Sequence, residues 1–279
     1  MKILFIAFIL MTYSSLSLAQ KIKINGSSTV NPVVSEAAEH FREKGWKIYV
    51  DTQGGSSGGI SYLAEGLCDI GMSSRPVSEN DKKKFPKASF VSHSIGYDGV
   101  ALVVSRSLYN KGVKSLTKEQ IKLIYEGKIK NWNKVGGPKQ KIVFFNKEPG
   151  RGTWEVFAKY VYGKAKYAPK VFHPEVGANQ EARSKVASNP GGITQLSASW
   201  AWNNDKVMAI SLSVGEISVG ASRENIESGK YPMRRPLLLI TNGKATNQSN
   251  EFIKYLLSPQ GQKLVKKHGY LSLDSSEQS

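Results

Sequence analysis

Strand-like and helix-like arrangements of apolar residues alternate along this chain. Residues 21–25 have the period-two alternation of a strand, and residues 33–41 carry apolar side chains at helical spacing. Residues 47–52 predict a second strand, residues 60–67 a second helix, and residues 69–72 a third strand. The order strand, helix, strand, helix, strand predicts a parallel sheet with ligand-binding loops at the carboxyl ends of its strands.

The later part of the chain repeats these patterns. Residues 100–105 and 142–145 predict strands, and residues 154–161 predict a helix. Thr117 is followed three residues later by Gln120, which is the spacing of a capping box and predicts a helix start. A late strand and two closing helices are predicted at residues 236–241, 248–257 and 259–267.

Two α/β units fit this pattern, and we expect the chain to pass between them twice. The crossings are expected near residues 96–100 and near residues 236–240. Two rigid lobes joined by two strands form a hinge. The predicted boundaries are 20–97 with 237–279 for the first lobe and 98–236 for the second.

Three loops rich in Gly, Ser and Thr each lead into a helical pattern, at residues 26–29, 54–59 and 150–153. A helix N-terminus has N–H groups without partners and about half a positive charge, so a glycine-rich loop there lets a small anion approach main-chain donors. Lys147 and Arg151 lie beside the third loop. We therefore expect the three loops to converge on one tetrahedral oxyanion.

Simpler interpretations of the same residues stay open. The Gly/Ser run at residues 54–59 is also compatible with a flexible linker. Ser28 and Thr29 are compatible with ordinary helix N-caps, which need no ligand. Arg75 and Arg151 are compatible with solvated surface positions.

The N-terminus predicts export from the cytoplasm. An apolar run at residues 3–11 is followed by Ser17 and Ala19, small residues at the spacing that a signal peptidase recognises. We expect residues 1–19 to be a signal peptide that is cut before Gln20. This apolar run is too short to span a bilayer, and no stretch of about 18 apolar residues occurs elsewhere, so we expect a soluble periplasmic protein.

The cysteine content and the net charge indicate how the protein is held and what kind of partner it binds. The only cysteine, Cys68, lies far from the cleavage region, so we expect neither a lipoprotein anchor nor an internal disulfide. The formal net charge is +17 at pH 7, and +16 (17 − 1) without Lys2, which favours acidic partners. Nucleic acid is not expected, because the lysines are scattered and are not interleaved with aromatic residues.

The sequence predicts no catalytic or metal site. A single cysteine excludes a thiolate cluster, and no Ser-His-Asp arrangement is visible, because neither His93 nor His173 has an identifiable partner. The histidines have no metal-binding spacing; they are His40, His93, His173 and His268. We therefore expect a binding protein without a metal or a cofactor.

Motifs spread over the whole exported chain resemble those of one family. They lie at residues 25–32, 55–60, 69–75, 97–99, 116–137 and 148–153. On these residues the chain resembles the PstS-like phosphate-binding proteins, the periplasmic receptors of phosphate ABC transporters. The resemblance implies a two-lobed type II periplasmic-binding-protein fold, in which each lobe is a mainly parallel sheet flanked by helices. It also implies a monomer that delivers inorganic phosphate to a membrane permease.

The resemblance assigns ligand-binding roles to residues of both lobes. In the first lobe it assigns the Ser28 hydroxyl, the backbone N–H of Thr29 and the Ser56 hydroxyl. In the second lobe it assigns Gly152 and Thr153, which match the end of a Ser-Gly-Thr motif.

Two residues depart from the family pattern, one at the first position of that motif and one four positions before it. Arg151 stands where the family has Ser, and Lys147 stands where it usually has arginine. An arginine binds an oxyanion with a planar fork, whereas a lysine acts as a point charge. We expect Arg151 to supply the fork in this chain.

A third departure concerns selectivity between oxyanions. Ser74 stands where well-studied members have an aspartate that accepts the proton of hydrogen phosphate, and Arg75 beside it would add positive charge. Asp51, Asp69 or Asp98 would be substitutes for that acceptor, although sequence spacing places none of them against the ligand. A protein for sulfate or molybdate is therefore the alternative, ahead of a secreted phosphatase-like enzyme or a matrix protein.

Overall fold

The computed structural model describes residues 21–202 and 204–273. The predicted signal peptide at residues 1–19 lies outside the described residues. Among the described helices, none combines the length and the apolar character needed to span a lipid bilayer.

The strands of the described chain fall into one large mixed sheet with side branches. They are β1 Lys21–Gly26, β2 Lys47–Asp51, β3 Ile70–Ser73, β4 Phe90–Ser105, β5 Ser115–Thr117, β6 Val143–Lys147, β7 Glu175–Val176, β8 Gly192–Ser197, β9 Val207–Val214, β10 Ile217–Val219 and β11 Arg234–Asn242.

The helices of the described chain cover the faces of this sheet. They are α1 Asn31–Arg42, α2 Gly55–Ala64, α3 Glu79–Lys84, α4 Arg106–Asn110, α5 Lys118–Tyr125, α6 Gly152–Tyr162, α7 Asn179–Ser188, α8 Ala198–Ala201, α9 Arg223–Glu227, α10 Asn247–Leu257 and α11 Pro259–Lys267. Two short 3-10 helices lie at Trp132–Val135 and Ala165–Tyr167.

The sheet follows the order β2-β1-β3-β11-β4-β8-β6-β7. The strand β1 is parallel to β2 and β3, and β6 is parallel to β7 and β8, as expected for strands joined by helices. The central strands β11 and β4 run antiparallel to each other and to their outer neighbours β3 and β8. The α/β class is therefore as predicted, with an antiparallel pair at the centre.

The long strand β4 takes part in both halves of the molecule. Its first part pairs with β11, with Asp98 opposite Arg235, and its second part pairs with β8 and β9. The largest apolar cluster includes the residues from Val100 to Val104, whereas a second cluster includes Ile95 and the core of β1, α1 and β11. The residue boundaries of the two lobes stay a prediction.

Local signals predicted some elements well and others badly. The capping box at α5 is confirmed: the Thr117 hydroxyl accepts from the Gln120 N–H at 3.1 Å, and the Gln120 side chain accepts from the Thr117 N–H at 2.9 Å. The prediction that residues 54–59 form a loop is wrong, because α2 begins at Gly55. The sequence patterns predict no element in residues 163–233, yet these residues contain α7, β8 and β9.

The glycines of α2 are explained by close packing. A Cβ atom on Gly59 would lie 2.7 Å from the carbonyl oxygens of Asn25 and Met72 and 3.0 Å from the Cα of Gly26. The helix therefore rests directly on the backbones of β1 and β3. This close packing places the N-terminus of α2 beside the end of β1, where α1 also begins.

We expect Gly59→Ala to lower the free energy of unfolding by about 2 kcal/mol, because the added methyl group overpacks this contact. On an exposed helix the same change would stabilise by about 1 kcal/mol. Urea unfolding measures the difference, with Ser61→Ala in the same helix as the control that changes stability by about 0.5 kcal/mol or less. A Gly59→Ala protein more stable than the parent would contradict the packing argument.

Candidate functional site

Four helix N-termini meet at one small cavity. The helices are α1 and α2 from the first half of the chain and α6 and α7 from the second. Loops that follow β1, β3, β6 and β7 complete the wall. The lining residues are Ser27, Ser28, Thr29, Gly55, Ser56, Ser74, Lys147, Arg151, Gly152, Thr153, Gly177 and Asn179.

None of these four helices has a side chain that caps its N-terminus. Their N-cap residues are Val30, Gly54, Arg151 and Ala178. Six other helices of the described chain do have a Ser or Thr side-chain cap, at Ser78, Ser105, Thr117, Ser222, Thr246 and Ser258. The N–H groups of Gly55 and Ser57 donate to carbonyl oxygens of the chain, whereas those of Ser56, Gly152, Thr153 and Asn179 have no partner among the described residues. These N–H groups remain available to an external acceptor, and an anion is the acceptor that a helix N-terminus favours.

The cavity is small and positively charged. Its volume is about 10 Å³, close to the least that holds one water molecule, so only a small ligand is compatible with it. Lys147 and Arg151 line it, and no lining residue carries a carboxylate. Among the residues that the structure describes, no three His, Cys, Asp or Glu side chains are grouped so as to hold a metal ion.

The structure brings together eight of the nine residues predicted from the sequence. These eight line the cavity, namely Ser28, Thr29, Ser56, Ser74, Lys147, Arg151, Gly152 and Thr153. Arg75 is not in the lining. Which of the eight bind a ligand stays a prediction.

Arg75 is held away from the cavity by two carboxylates. Its guanidinium lies 2.7 Å from Asp81 and 2.8 Å from Glu155, and it donates to the Ser57 hydroxyl at 2.9 Å. Glu155 belongs to α6, so the pair joins the segment after β3 to a helix of the other half. The expectation that Arg75 adds positive charge at the anion is replaced by a role in holding the two halves together.

Arg151 also has a carboxylate partner. Its Nε and Nη2 donate to Glu148 at 2.9 and 2.7 Å, while its Nη1 approaches the Thr52 carbonyl oxygen at 3.4 Å. The planar edge of the guanidinium therefore faces Glu148. The expected anion fork is engaged within the protein itself.

Sequence reasoning missed Arg235, which organises the hydroxyl groups of the site. Its Nε and Nη2 donate to Asp98 at 3.0 and 2.7 Å, and its Nη1 donates to Ser74 at 3.1 Å and Thr153 at 2.9 Å. A further bond joins Nη2 to the Thr29 hydroxyl at 3.2 Å. All five guanidinium N–H groups are therefore used.

These bonds orient the hydroxyl groups. The Thr29 oxygen accepts from Arg235 and also from the Asn179 amide at 3.1 Å, so both of its lone pairs are occupied and its proton is left to donate. The Ser74 oxygen accepts from Arg235 and from Ser27 at 3.0 Å. The Ser74 hydroxyl also lies 3.3 Å from the Ser56 hydroxyl, whose oxygen accepts from the Ser74 N–H at 3.0 Å. The serine hydroxyls are thus bonded to one another, while the Thr29 proton is left to donate.

No local signal marks Arg235 or Asn179 as part of the site. Arg235 stands at the edge of an apolar strand pattern, and Asn179 lies in a stretch where the sequence patterns predict no element. The Tyr97-Asp98-Gly99 motif did contain Asp98, but only the pairing of β4 with β11 places its carboxylate on Arg235. Asp51 and Asp69, the other suggested acceptors, do not line the cavity.

Lys147 is buried, with 1% of its surface exposed. Its Nζ donates to the carbonyl oxygens of Gly177 at 2.8 Å and Ala178 at 2.9 Å. Burial lowers the pKa of Lys147 to about 7, and the charges of Arg151 and Arg235 contribute to the same shift. The amine therefore changes charge near neutral pH while no anion is bound.

Comparison with known proteins gives one consistent result. A family model described as a PBP superfamily domain matches residues 12–260. The phosphate-binding protein PstS of Bacillus subtilis is 33% identical over 252 residues, which cover 90% of this chain and 80% of that protein. PstS of Borreliella burgdorferi is 28% identical, with 90% of each chain covered.

A solved structure agrees with these relatives. It is a phosphate-bound substrate-binding protein assigned to a phosphate ABC transporter of Clostridium perfringens. It superposes with a TM-score of 0.80 at 32% identity and covers 91% of this chain and 100% of its own. A phosphate transport receptor from Vibrio cholerae gives a TM-score of 0.70 at 28% identity over 90% of this chain.

We expect Asp98→Asn to lower the free energy of unfolding by about 3 kcal/mol or more, because it leaves the buried Arg235 charge without its counter-charge. Urea unfolding checks this. Glu79→Gln removes the exposed ion pair with Lys82 and serves as the control, for which we expect no measurable loss. A loss at Asp98 no greater than at Glu79 would mean that the charge pair is dispensable.

The free energy of unfolding should depend on pH because of Lys147. Its pKa is about 7 in the folded protein and about 10.5 in the unfolded chain, so between these values the unfolded chain binds more protons and stability rises with pH. We expect Lys147→Met to be more stabilising at pH 6.5 than at pH 9.5. Paired unfolding curves of the anion-free parent and variant measure this, and a difference that does not change with pH would contradict the burial of a titrating amine.

Proposed function

Because this chain belongs to the PBP superfamily and, within it, to the family of the PstS phosphate-binding proteins, we propose that it binds inorganic phosphate between its two lobes and delivers it to the permease of an ABC transporter. The proposal includes export to the periplasm and action as a monomer. The site residues support it independently of the relatives.

The observation that carries the proposal is the convergence of four uncapped helix N-termini on a cavity without a carboxylate. Backbone N–H groups, hydroxyl donors and the Lys147 amine together replace the hydration shell of a small oxyanion. The donors come from both lobes. Ser28, Thr29 and Ser56 belong to one side, and Lys147, Gly152 and Thr153 belong to the other.

An anion held between these two sets favours the closed arrangement. Closure brings the second set of donors to an anion that the first set already binds, so the closed state has the higher affinity. Contacts across the cleft add to this preference: the Ser57 N–H donates to the Gly150 carbonyl oxygen at 3.0 Å, and Asn179 donates to Thr29. Phosphate binding is therefore expected to shift the population towards the closed form.

The site favours binding over catalysis. Its lining contains serine and threonine hydroxyls but no histidine and no carboxylate that would activate one of them as a nucleophile. Lys147, the one lining amine, is bonded to two carbonyl oxygens. We propose that the protein is not an enzyme.

Sulfate or molybdate is the second candidate ligand, and one observation favours it. The cavity has no carboxylate at Ser74 or elsewhere in its lining to accept the proton of hydrogen phosphate. A site without a carboxylate acceptor accommodates a fully deprotonated oxyanion equally well.

Calorimetric titration of protein freed of anion by unfolding and refolding tests the proposal against phosphate, sulfate and molybdate. We expect Ser28→Ala and Ser56→Ala each to weaken phosphate binding about 10- to 100-fold, because each removes a donor to a charged group. Ser107→Ala, on an exposed position of α4, is the control and should bind like the parent.

Binding that is unchanged in both cavity variants would show that the site is misassigned. The absence of phosphate binding in the parent protein would remove the proposed function. Tighter binding of sulfate or molybdate would move the assignment to that anion.

A further inference from the structure

We propose that Lys147 discriminates between oxyanions by changing from a donor to an acceptor. As an ammonium group it donates to any oxyanion in the cavity; as a neutral amine it accepts the P–OH proton of hydrogen phosphate, which sulfate does not have. This inference rests on the proposed function and names the group that takes the place of the missing aspartate.

The hydrogen bonds of Lys147 leave one position open. Two of the tetrahedral positions around Nζ are directed to the carbonyl oxygens of Gly177 and Ala178. Since carbonyl oxygens only accept, both positions hold N–H groups in either charge state. The remaining position holds a proton in the ammonium form and a lone pair in the neutral form. Lys147 lines the cavity, so this position is the one that an anion meets.

The backbone N–H groups and the freely rotating hydroxyl groups of the lining cannot make the discrimination. Backbone N–H groups and the Thr29 hydroxyl only donate, so they treat phosphate and sulfate oxygens alike. The Ser28 hydroxyl rotates freely and can donate to sulfate as readily as it accepts from phosphate. A discriminating group must accept without being able to donate, and a neutral Lys147 with both N–H groups engaged meets that condition.

The charges around Lys147 make the change of form possible near neutral pH. Burial is the main cause of its lowered pKa, which is about 7, and Arg151 and Arg235 act in the same direction. Glu181 and Glu148 oppose them but do not restore the ordinary value. An arginine at this position would stay charged and would only donate.

The two anions should therefore respond differently to pH. Above about pH 7 sulfate binds only when Lys147 takes up a proton, so its affinity falls about tenfold for each pH unit. Hydrogen phosphate brings its own proton to the same hydrogen bond. Its affinity should change less than about threefold between pH 7.5 and 9, where free phosphate is chiefly the hydrogen phosphate dianion.

The test measures the affinity of the parent protein for sodium sulfate from pH 6 to 9 and for sodium phosphate from pH 7.5 to 9, at constant ionic strength. Titration in buffers of different ionisation enthalpy adds a direct proton count. We expect close to one proton taken up per sulfate at pH 8.5 and close to none per phosphate. Lys147→Arg should abolish the pH dependence of sulfate binding and reduce the preference for phosphate at pH 9 at least tenfold. Lys141→Arg, at an exposed position, is the matched control.

Some outcomes would overturn the inference and leave the proposed function intact. These are parallel pH profiles for the two anions, no proton uptake with sulfate, no sulfate binding even at pH 6, or a Lys147→Arg protein that keeps the preference of the parent at pH 9. The proton count uses only the parent protein, so it decides the matter even if the arginine variant does not fold. Absence of phosphate binding in the parent at every pH would instead remove the proposed function, and the inference with it.

Discussion

The buried ion pair between Asp98 and Arg235 is the interaction on which the binding site depends. It joins the two central antiparallel strands, and both side chains have no exposed surface. An unpaired charge at this depth would be strongly destabilising, so Asp98 is what permits an arginine to lie there. Arg235 in turn bonds to Thr29, Ser74 and Thr153, which come from loops of both lobes. One guanidinium thus holds three hydroxyl oxygens in place around the cavity.

The site is assembled at the expense of local stability. A side-chain cap contributes about 1 kcal/mol to a helix, and the four helices that meet at the cavity all lack one. Their free N–H groups, together with the buried Lys147 amine, make the empty cavity unfavourable and an anion within it favourable. The Arg75 to Glu155 pair lies outside the cavity and joins the two halves of the chain. The groups that strengthen anion binding therefore lower the stability of the unliganded protein.

Much of the fold and most of the cavity wall could be predicted because their signals are local. Apolar periodicity located β1, α1, β2, α6 and the closing helices, and the Gly and Ser runs located the loops that line the cavity. The start of α2 could not be predicted because its glycines are also typical of a loop. They indicate a closely packed helix only once the positions of β1 and β3 beside them are known. The stretch containing α7 was missed because its helix has little amphipathic character, and Asn179 was missed with it. Arg75 was misplaced because Asp81 and Glu155, which hold it, come from different elements.

The sequence by itself determined the α/β class and which loops carry anion-binding chemistry, because helix caps, glycine runs and strand periodicity act over a few neighbouring residues. It also determined that Ser74 and Lys147 replace the residues usual at those positions in the family. Only the tertiary structure decided that Asp98 would meet Arg235, which is 137 residues away, and that Arg235 would then orient the hydroxyls. The charge of Lys147 also depends on the tertiary structure, because the free-energy cost of desolvating an amine is set by all the groups packed around it. The sequence neighbours of Lys147 alone do not determine that cost.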